Sequence, residues 1–402
     1  MADAEALDLT DPLRSFRDRF LLPDGVIYLD GNSLGPLPRA TPERLASVIR
    51  REWGCALVRA WNEHGWIDLA RVVGDKIGRL IGAKPGGTIV ADSTSINIFK
   101  CLTAALALRP GRTVILSETG NFPTDLYVAE GVARLHGADC SVRVVDDPVT
   151  ALDSDVAVLM LTHVNYRTGA MHDIASITAA AHRAGALVLW DLSHSAGAVT
   201  LNLAADEVDF AVGCGYKYLN GGPGAPAFLS VASALWPALR FPLTGWLGHA
   251  DPFAFDPFFR PAAGVASAVV GTPPILSLAA LEVGVDLMLE APIDLIREKS
   301  TALTGRFQTL MAARGFRSIT PAEASRRGSQ VSFSHPDGYA IVQALIARGV
   351  IGDFRAPDVM RFGFAPLYLR YRDVDDAVAV LDDVMRAEAW RDPTYQRRRA
   401  VT

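Results

Sequence analysis

Six short runs rich in β-branched and aliphatic residues recur through the middle of the chain, at 88–90, 113–116, 142–145, 156–161, 186–190 and 209–212. Several are apolar throughout instead of alternating, a pattern that suits strands covered on both faces. Stretches of helix length separate them. One, DIASITAAAHRA at 173–184, is made of good helix formers and stops at Gly185, a helix-end signal. Strand and helix in this alternation predict an α/β fold, with a large domain at 50–275 around a mostly parallel sheet. Pro273-Pro274 then breaks the pattern, and a long helical stretch follows at 275–289. The remainder alternates helix and strand like a smaller α+β domain, assembled from 1–49 and 276–402. A chain of 402 residues exceeds the size at which one hydrophobic core keeps growing, which agrees with two parts.

The segment DFAVGCGYKYLNGGPGAP, 209–226, carries the most chemistry. It sets Lys217 just past a short apolar strand, in a loop too rich in glycine to pack as core. Lysine is the side chain that condenses with aldehydes once neighbours or burial free its amine. Upstream, the apolar strand at 186–190 ends in Asp191, with His194 close behind. An acid at a strand's carboxyl end, followed by a loop lysine, suggests pyridoxal 5'-phosphate: the lysine links to the aldehyde and the aspartate keeps the pyridine nitrogen protonated.

Bulk properties exclude several partners. A net charge of −5 gives no electrostatic footprint for nucleic acid or an anionic membrane. The start, MADAEALDLT, is acidic and lacks a signal-peptide core, and no uninterrupted apolar run reaches membrane-spanning length. Cys55, Cys101, Cys140 and Cys214 show no paired spacing, so they read as reduced thiols of a cytoplasmic enzyme. The basic end QRRRA, 396–400, reads as a frayed, solvated terminus.

Other segments admit two readings each. In TIVADSTSINIFKCL, a strand ends at Asp92-Ser93-Thr94-Ser95 and a helix starts near Ile96. Hydroxyls and amides there either cradle a phosphate or simply cap the helix. In GNFPTDLY, Phe122 can stack on a flat ring with Asp125 bonding nearby, or the segment is a turn with Asp125 as a cap. Thr162, His163 and Asn165 follow a buried strand, where open α/β sheets place ligand contacts. Zinc on His163, Asp191 and His194 is set aside, because Asp-x-x-His lacks a zinc spacing and no Cys or Glu stands nearby. No metal is expected. Trp246, in TGWLGH, is a core plug or a contact to a ligand or second subunit. Arg361 lies among apolar residues and needs an anion, either an internal carboxylate or that of a substrate.

Taken together, nine segments resemble kynureninase of the bacterial type, within the aspartate-aminotransferase-fold group (fold type I) of pyridoxal-phosphate enzymes. They are YLDGNSLG, STSINIFK, NFPTD, THVNYRTG, WDLSHSAGA, CGYKYLNGGPGAP, GWLGH, GTPPI and RFGFAPLY, in family order over nearly the whole chain. The resemblance implies Lys217 as the cofactor lysine, Asp191 as partner of the ring nitrogen and His194 in the ring's polar shell. It implies Phe122, Pro123, Thr124, Asp125 and Thr162 around the ring, with Thr94, Ser95 and Tyr216 on the phosphate. Tyr216 is either a proton relay or a phosphate contact alone. Trp246 and Thr272 resemble contacts reaching in from a second subunit, which implies a homodimer with shared sites. Arg361, Ser33 and Trp61 would touch the substrate, although Trp61 as interface packing is the rival reading. The implied reaction is hydrolysis of L-kynurenine to anthranilate and L-alanine in tryptophan degradation, with 3-hydroxykynurenine used more weakly.

Two rival functions meet obstacles in the residues. A cysteine desulfurase of the same fold needs a nucleophilic cysteine on a late loop, and none follows Cys214. A non-catalytic cofactor carrier would have little use for Lys217, Asp191 and Arg361 together.

Overall fold

A computed structural model describes residues 3–398 of the chain. Its centre is a seven-stranded sheet. In chain order the strands are β1 (Thr88–Val90), β2 (Val114–Glu118), β3 (Ser141–Val145), β4 (Val156–Thr162), β5 (Leu187–Asp191), β6 (Phe210–Gly213) and β7 (Phe228–Val231). Their spatial order is β1-β7-β6-β5-β4-β2-β3. Pairing is parallel from β6 through β3, whereas β7 runs antiparallel to both neighbours, β1 and β6. The α/β, mostly parallel sheet expected from the apolar runs is present. β7 is not among those runs, and it lets β1 point the same way as β6 although the two are not adjacent.

β4, VAVLMLT, is buried at all seven positions, as its unbroken apolar run requires. The helix Leu69–Leu80 packs against β1 and β7, and α1 (Thr94–Leu108), α2 (Pro123–His136) and α3 (Ile174–Arg183) also pack on this sheet. Ser93 caps α1 by accepting from the Ile96 amide, and Asp173 caps α3 by accepting from the Ser176 amide. Helix α1 therefore begins two residues earlier than the sequence pattern suggests, because the cap and not the first apolar residue sets the start.

After α4 (Ile275–Glu290) and α5 (Ile293–Ala312), four antiparallel strands form a second sheet. They are β8 (Arg317–Ser318), β9 (Gln330–Ser334), β10 (Asp353–Arg355) and β11 (Val359–Gly363), in spatial order β8-β9-β11-β10. Phe307 of α5 joins the two by packing edge-on against Phe333 and Phe362. The first residues of the chain reach this sheet: Asp30 bridges Gly363, and Ile27–Tyr28 pairs with Val350–Ile351. At the basic end Gln396, Arg397 and Arg398 are exposed, as expected of a solvated terminus, and Arg398 lies over the rings of Tyr339 and Phe354. Arg399 and Ala400 lie outside the described residues. Among the described residues no helix is long and apolar enough to cross a membrane.

Candidate active site

The carboxyl ends of β1, β2, β4, β5 and β6 open on one side of the sheet around a cavity of about 390 Å³. An open α/β sheet offers its ligand site there, because the strands stop and the backbone turns away into loops and helix N-termini. β4 delivers Thr162 and Tyr166, β5 delivers Asp191, Ser193 and His194, and the loop after β6 delivers Tyr216 and Lys217. Phe122, Thr124 and Asp125, at the start of α2, close the opposite wall. Asp92, Ser93, Thr94 and Ser95, at the start of α1, form one end. Ten of the residues singled out in the sequence thus share one cavity: Thr94, Ser95, Phe122, Thr124, Asp125, Thr162, Asp191, His194, Tyr216 and Lys217. Pro123 sits between two of them as the first residue of α2.

The lysine loop is held from two sides. Gly35 donates its amide to the Tyr216 carbonyl at 2.8 Å, and any Cβ there would strike the Lys217 carbonyl and Asn220. This accounts for the glycine that ends GNSLG. On the other side Gly221 lies so close to Leu281 of α4 that a side chain would collide with it. The Lys217 amine stands 3.0 Å from His194 Nε2.

Electrostatics sharpen this arrangement. Burial, and then the charge of Lys217, holds His194 well below its ordinary value, so the ring is neutral and can accept from the lysine. Burial raises Asp191 despite the opposing pull of Lys217 and of two bonds from Ser193, one from its hydroxyl at 2.6 Å and one from its amide at 2.8 Å. Burial and the nearby Asp191 also push Asp125 well above the carboxylate range. Two buried acids under the influence of one amine form a set that a protonated ring nitrogen would complete. Tyr216 is raised as well, first by Cys214 and then by burial. His163 does not join the cavity. It is buried beside Ser195, 2.8 Å from Nδ1, and burial lowers it to about 3.

Two residues were missed by sequence reasoning. Asn121 is buried, and its carbonyl oxygen accepts from the amides of Phe122 (2.9 Å) and Thr162 (3.0 Å) and from the Thr162 hydroxyl. It stitches the end of β4 to the start of α2. Its only sequence signal was its place in NFPTD. Tyr166 lines the cavity and meets Phe122 edge-on, with ring centroids 5.1 Å apart.

Trp61, Trp246, Thr272, Arg361 and Ser33 likewise do not line the cavity within one chain. Trp61 packs edge-on against Trp66 of its own chain at 5.8 Å. Trp246 stacks edge-on with Phe253 at 5.8 Å and is part exposed, and Thr272 is exposed in its loop. Arg361 is buried, and Asp353 takes one side of its fork: Nε donates to Asp353 Oδ1 at 2.6 Å and Nη2 to Oδ2. Nη1 donates to the Tyr166 carbonyl at 2.6 Å, and Nη2 reaches Ser33 Oγ at 3.1 Å. The internal ion pair, one of the two readings left open for Arg361, is therefore present, and it leaves the Nη1–Nη2 edge as the side that can turn to another anion. Ser33 belongs to that cluster, donating to Asp353 Oδ2 at 2.8 Å.

Comparison with known proteins decides the family. The chain is 51% identical to kynureninase of Burkholderia pseudomallei strain K96243 over 411 aligned positions, covering 100% of this chain and 99% of that protein. It is 49% identical to kynureninase of Pseudomonas fluorescens over the same span. The chain belongs to the kynureninase family. The family model for the kynureninase C-terminal domain matches residues 296–381. Among solved structures, cysteine desulfurase CsdA of Escherichia coli aligns with TM-score 0.75 at 22% identity, over 93% of this chain and 98% of that one. A C-DES mutant described with glycine covalently linked to its PLP cofactor aligns with TM-score 0.78 at 18% identity, over 91% and 99%. These likenesses show that the chain shares the desulfurase fold, without the late cysteine that desulfurases require. Cys214 itself is buried and points its thiol towards the Ser193 carbonyl.

Proposed function

We infer that the protein is a kynureninase that hydrolyses L-kynurenine to anthranilate and L-alanine, with pyridoxal 5'-phosphate as cofactor. The observation that carries this reading is Lys217, alone of five lysines in lining the cavity. Lys76 and Lys299 are tied to carboxylates elsewhere, and Lys100 is buried beneath the cavity wall, paired with Asp92. The donor set fits the cofactor: an amine for the aldehyde, buried acids for the ring nitrogen, an aromatic face in Phe122, and hydroxyls at a helix N-terminus for the phosphate. Asp191 and Asp125 would hold the ring, with Thr162 and His194 at its edges, and Thr94, Ser95 and Tyr216 would hold the phosphate.

When bound, the cofactor supplies a covalent link to the substrate amine and a sink for electrons at Cα. Lys217 Nζ, displaced by that amine, removes the Cα proton, and the neutral His194 accepts a hydrogen bond from it and holds it in place. Arg361 turns its Nη1–Nη2 edge to the substrate carboxylate while Asp353 holds the other side. Water adds to the γ-ketone, and the Cβ–Cγ bond breaks with anthranilate as the leaving acid. In this reading Tyr216 supplies the proton that Cβ takes up once the bond to Cγ has broken.

Trp61 touches the substrate in this reading, and Trp246 and Thr272 serve the site from a second subunit, as a homodimer with shared sites. The exposure of Trp246 and of Phe253, Phe255 and Phe258 on one loop supports it, because apolar side chains gathered at a surface call for cover. The chain is proposed to work in the cytoplasm as two parts, 50–275 and 1–49 with 276–402.

An indole at Trp61 and a small Thr272 favour the unhydroxylated ring. A ring hydroxyl that loses water without a partner costs roughly 1–3 kcal/mol, or about ten- to a hundredfold in specificity. Incubation of the purified, cofactor-loaded protein with each substrate tests both claims. L-kynurenine should give anthranilate fluorescence, and kcat/KM should be higher than with 3-hydroxykynurenine. No anthranilate would overturn the activity, and a preference for the hydroxylated substrate would overturn the specificity.

A further inference from the structure

Lys100 occupies a position where an apolar side chain would be expected. It is completely buried on α1, flanked along the helix by the buried Ile98, Cys101 and Leu102. A charge there is costly unless it is paired. Its amine bonds the carboxylate of Asp92 and donates to the Ala268 carbonyl at 2.6 Å.

Asp92 explains the partner and raises a question of its own. It is the residue between β1 and the α1 cap, it lines the cavity, and its backbone is left-handed at φ 47°. That conformation costs aspartate less than most residues. Yet a carboxylate on the wall of a cavity whose neighbouring hydroxyls and helix terminus suit a phosphate would repel it. At a few ångströms such repulsion exceeds the attraction one hydroxyl supplies.

Lys100 reaches past the cap to that same carboxylate. Through Ala268 it also ends on the turn Gly264–Ala268, from which the chain runs to Thr272. Val270 on this run presses its carbonyl against Gly245, where no Cβ fits, beside Trp246. One buried amine therefore joins the phosphate end of the cavity to the segment bearing Thr272 and Trp246.

We propose that Lys100 is a positioning residue for the cofactor phosphate, cancelling the charge of Asp92 so that a dianion can settle at Ser93–Ser95. This rests on the proposed seat of the phosphate at Thr94 and Ser95. A buried pair serving the fold alone would not discriminate between ligands with and without a phosphate, and that difference is measurable.

The test measures dissociation constants of pyridoxal 5'-phosphate and of pyridoxal, which lacks the phosphate, from quenching of tryptophan fluorescence in the apoprotein. In Lys100→Met, affinity for pyridoxal 5'-phosphate should fall at least about tenfold, while affinity for pyridoxal changes by less than about threefold. Adding Asp92→Asn removes the uncancelled carboxylate and should restore most of the loss. Should Lys100→Met not fold, Lys100→Gln keeps a donor for the Ala268 carbonyl and is expected to show the same selective loss. Wild-type affinity in these variants, equal loss for both ligands, or a double variant as weak as the single would overturn the proposal. Thr94→Val with Ser95→Ala separates the two levels. If that variant loses phosphate-dependent affinity and Lys100→Met does not, the role of Lys100 falls alone. If neither loses it, the phosphate does not sit at Thr94 and Ser95.

Discussion

Asp30 shows what a single residue contributes beside this cavity. It adjoins the cluster of Asp353, Arg361, Arg355 and Ser33, and one of its carboxylate oxygens is buried with no partner. Burial first, and Asp353 second, push it from the ordinary 3.8 up to about 7, against the pull of Ser33, Arg361 and Arg355. The folded protein therefore holds this proton more tightly than the unfolded chain does. The stability it contributes is complete below about pH 4 and is lost as pH rises through about 7. Asp30→Asn cannot ionise, so its melting temperature relative to wild type should rise between about pH 5 and pH 8. Parallel melting profiles across that range would contradict the assignment. Nothing in YLDGNSLG announces this behaviour, because it depends on strands more than three hundred residues later. Lys217, Asp191 and His194 were legible for the opposite reason: a glycine-rich loop and a strand end mark them locally. Arg361 was half legible. Its apolar neighbours required an anion, but only the cross-strand pairing of Asp353 with Arg361 says which anion is present.

Among the elements, strands with unbroken apolar runs were the easiest to read. β4 and β5 emerge within a residue of their expected ends because both faces are covered. β7 escaped because FLSV follows a proline- and glycine-rich loop and is only four residues long. Junctions between elements were least legible, and Asn121 is the clearest case. It bonds the amide of a residue 41 positions away, which no local pattern encodes. Asn121→Ala leaves the amides of Phe122 and Thr162 without that acceptor, at about 1–3 kcal/mol for the buried Thr162 group left unsatisfied. The variant should melt earlier and release pyridoxal 5'-phosphate more readily in dialysis, since Phe122 and Thr162 lose their common anchor. Retention equal to wild type would mean that the start of α2 holds its place without Asn121.

At the scale of the molecule, the sequence implied a shared site, and the single chain leaves Trp61, Trp246 and Thr272 outside its own cavity. A single chain does not test from which subunit they act. Mixing subunits does. A Lys217→Ala chain and a Trp246→Ala chain, each inactive in this account, form hybrids in which one site carries both lesions and the other none. Random reassortment of a two-fold dimer should restore about a quarter of wild-type activity. A mixture no more active than its parents would place Trp246 and Lys217 in the same subunit's site. The claim beneath all of these is that chemistry begins at one amine among five. Borohydride reduction of the cofactor-loaded protein, followed by peptide mapping, tests it directly. The account predicts a phosphopyridoxyl group on Lys217 and on no other lysine. Its recovery on Lys76, Lys84, Lys100 or Lys299, with Lys217 unlabelled, would contradict it.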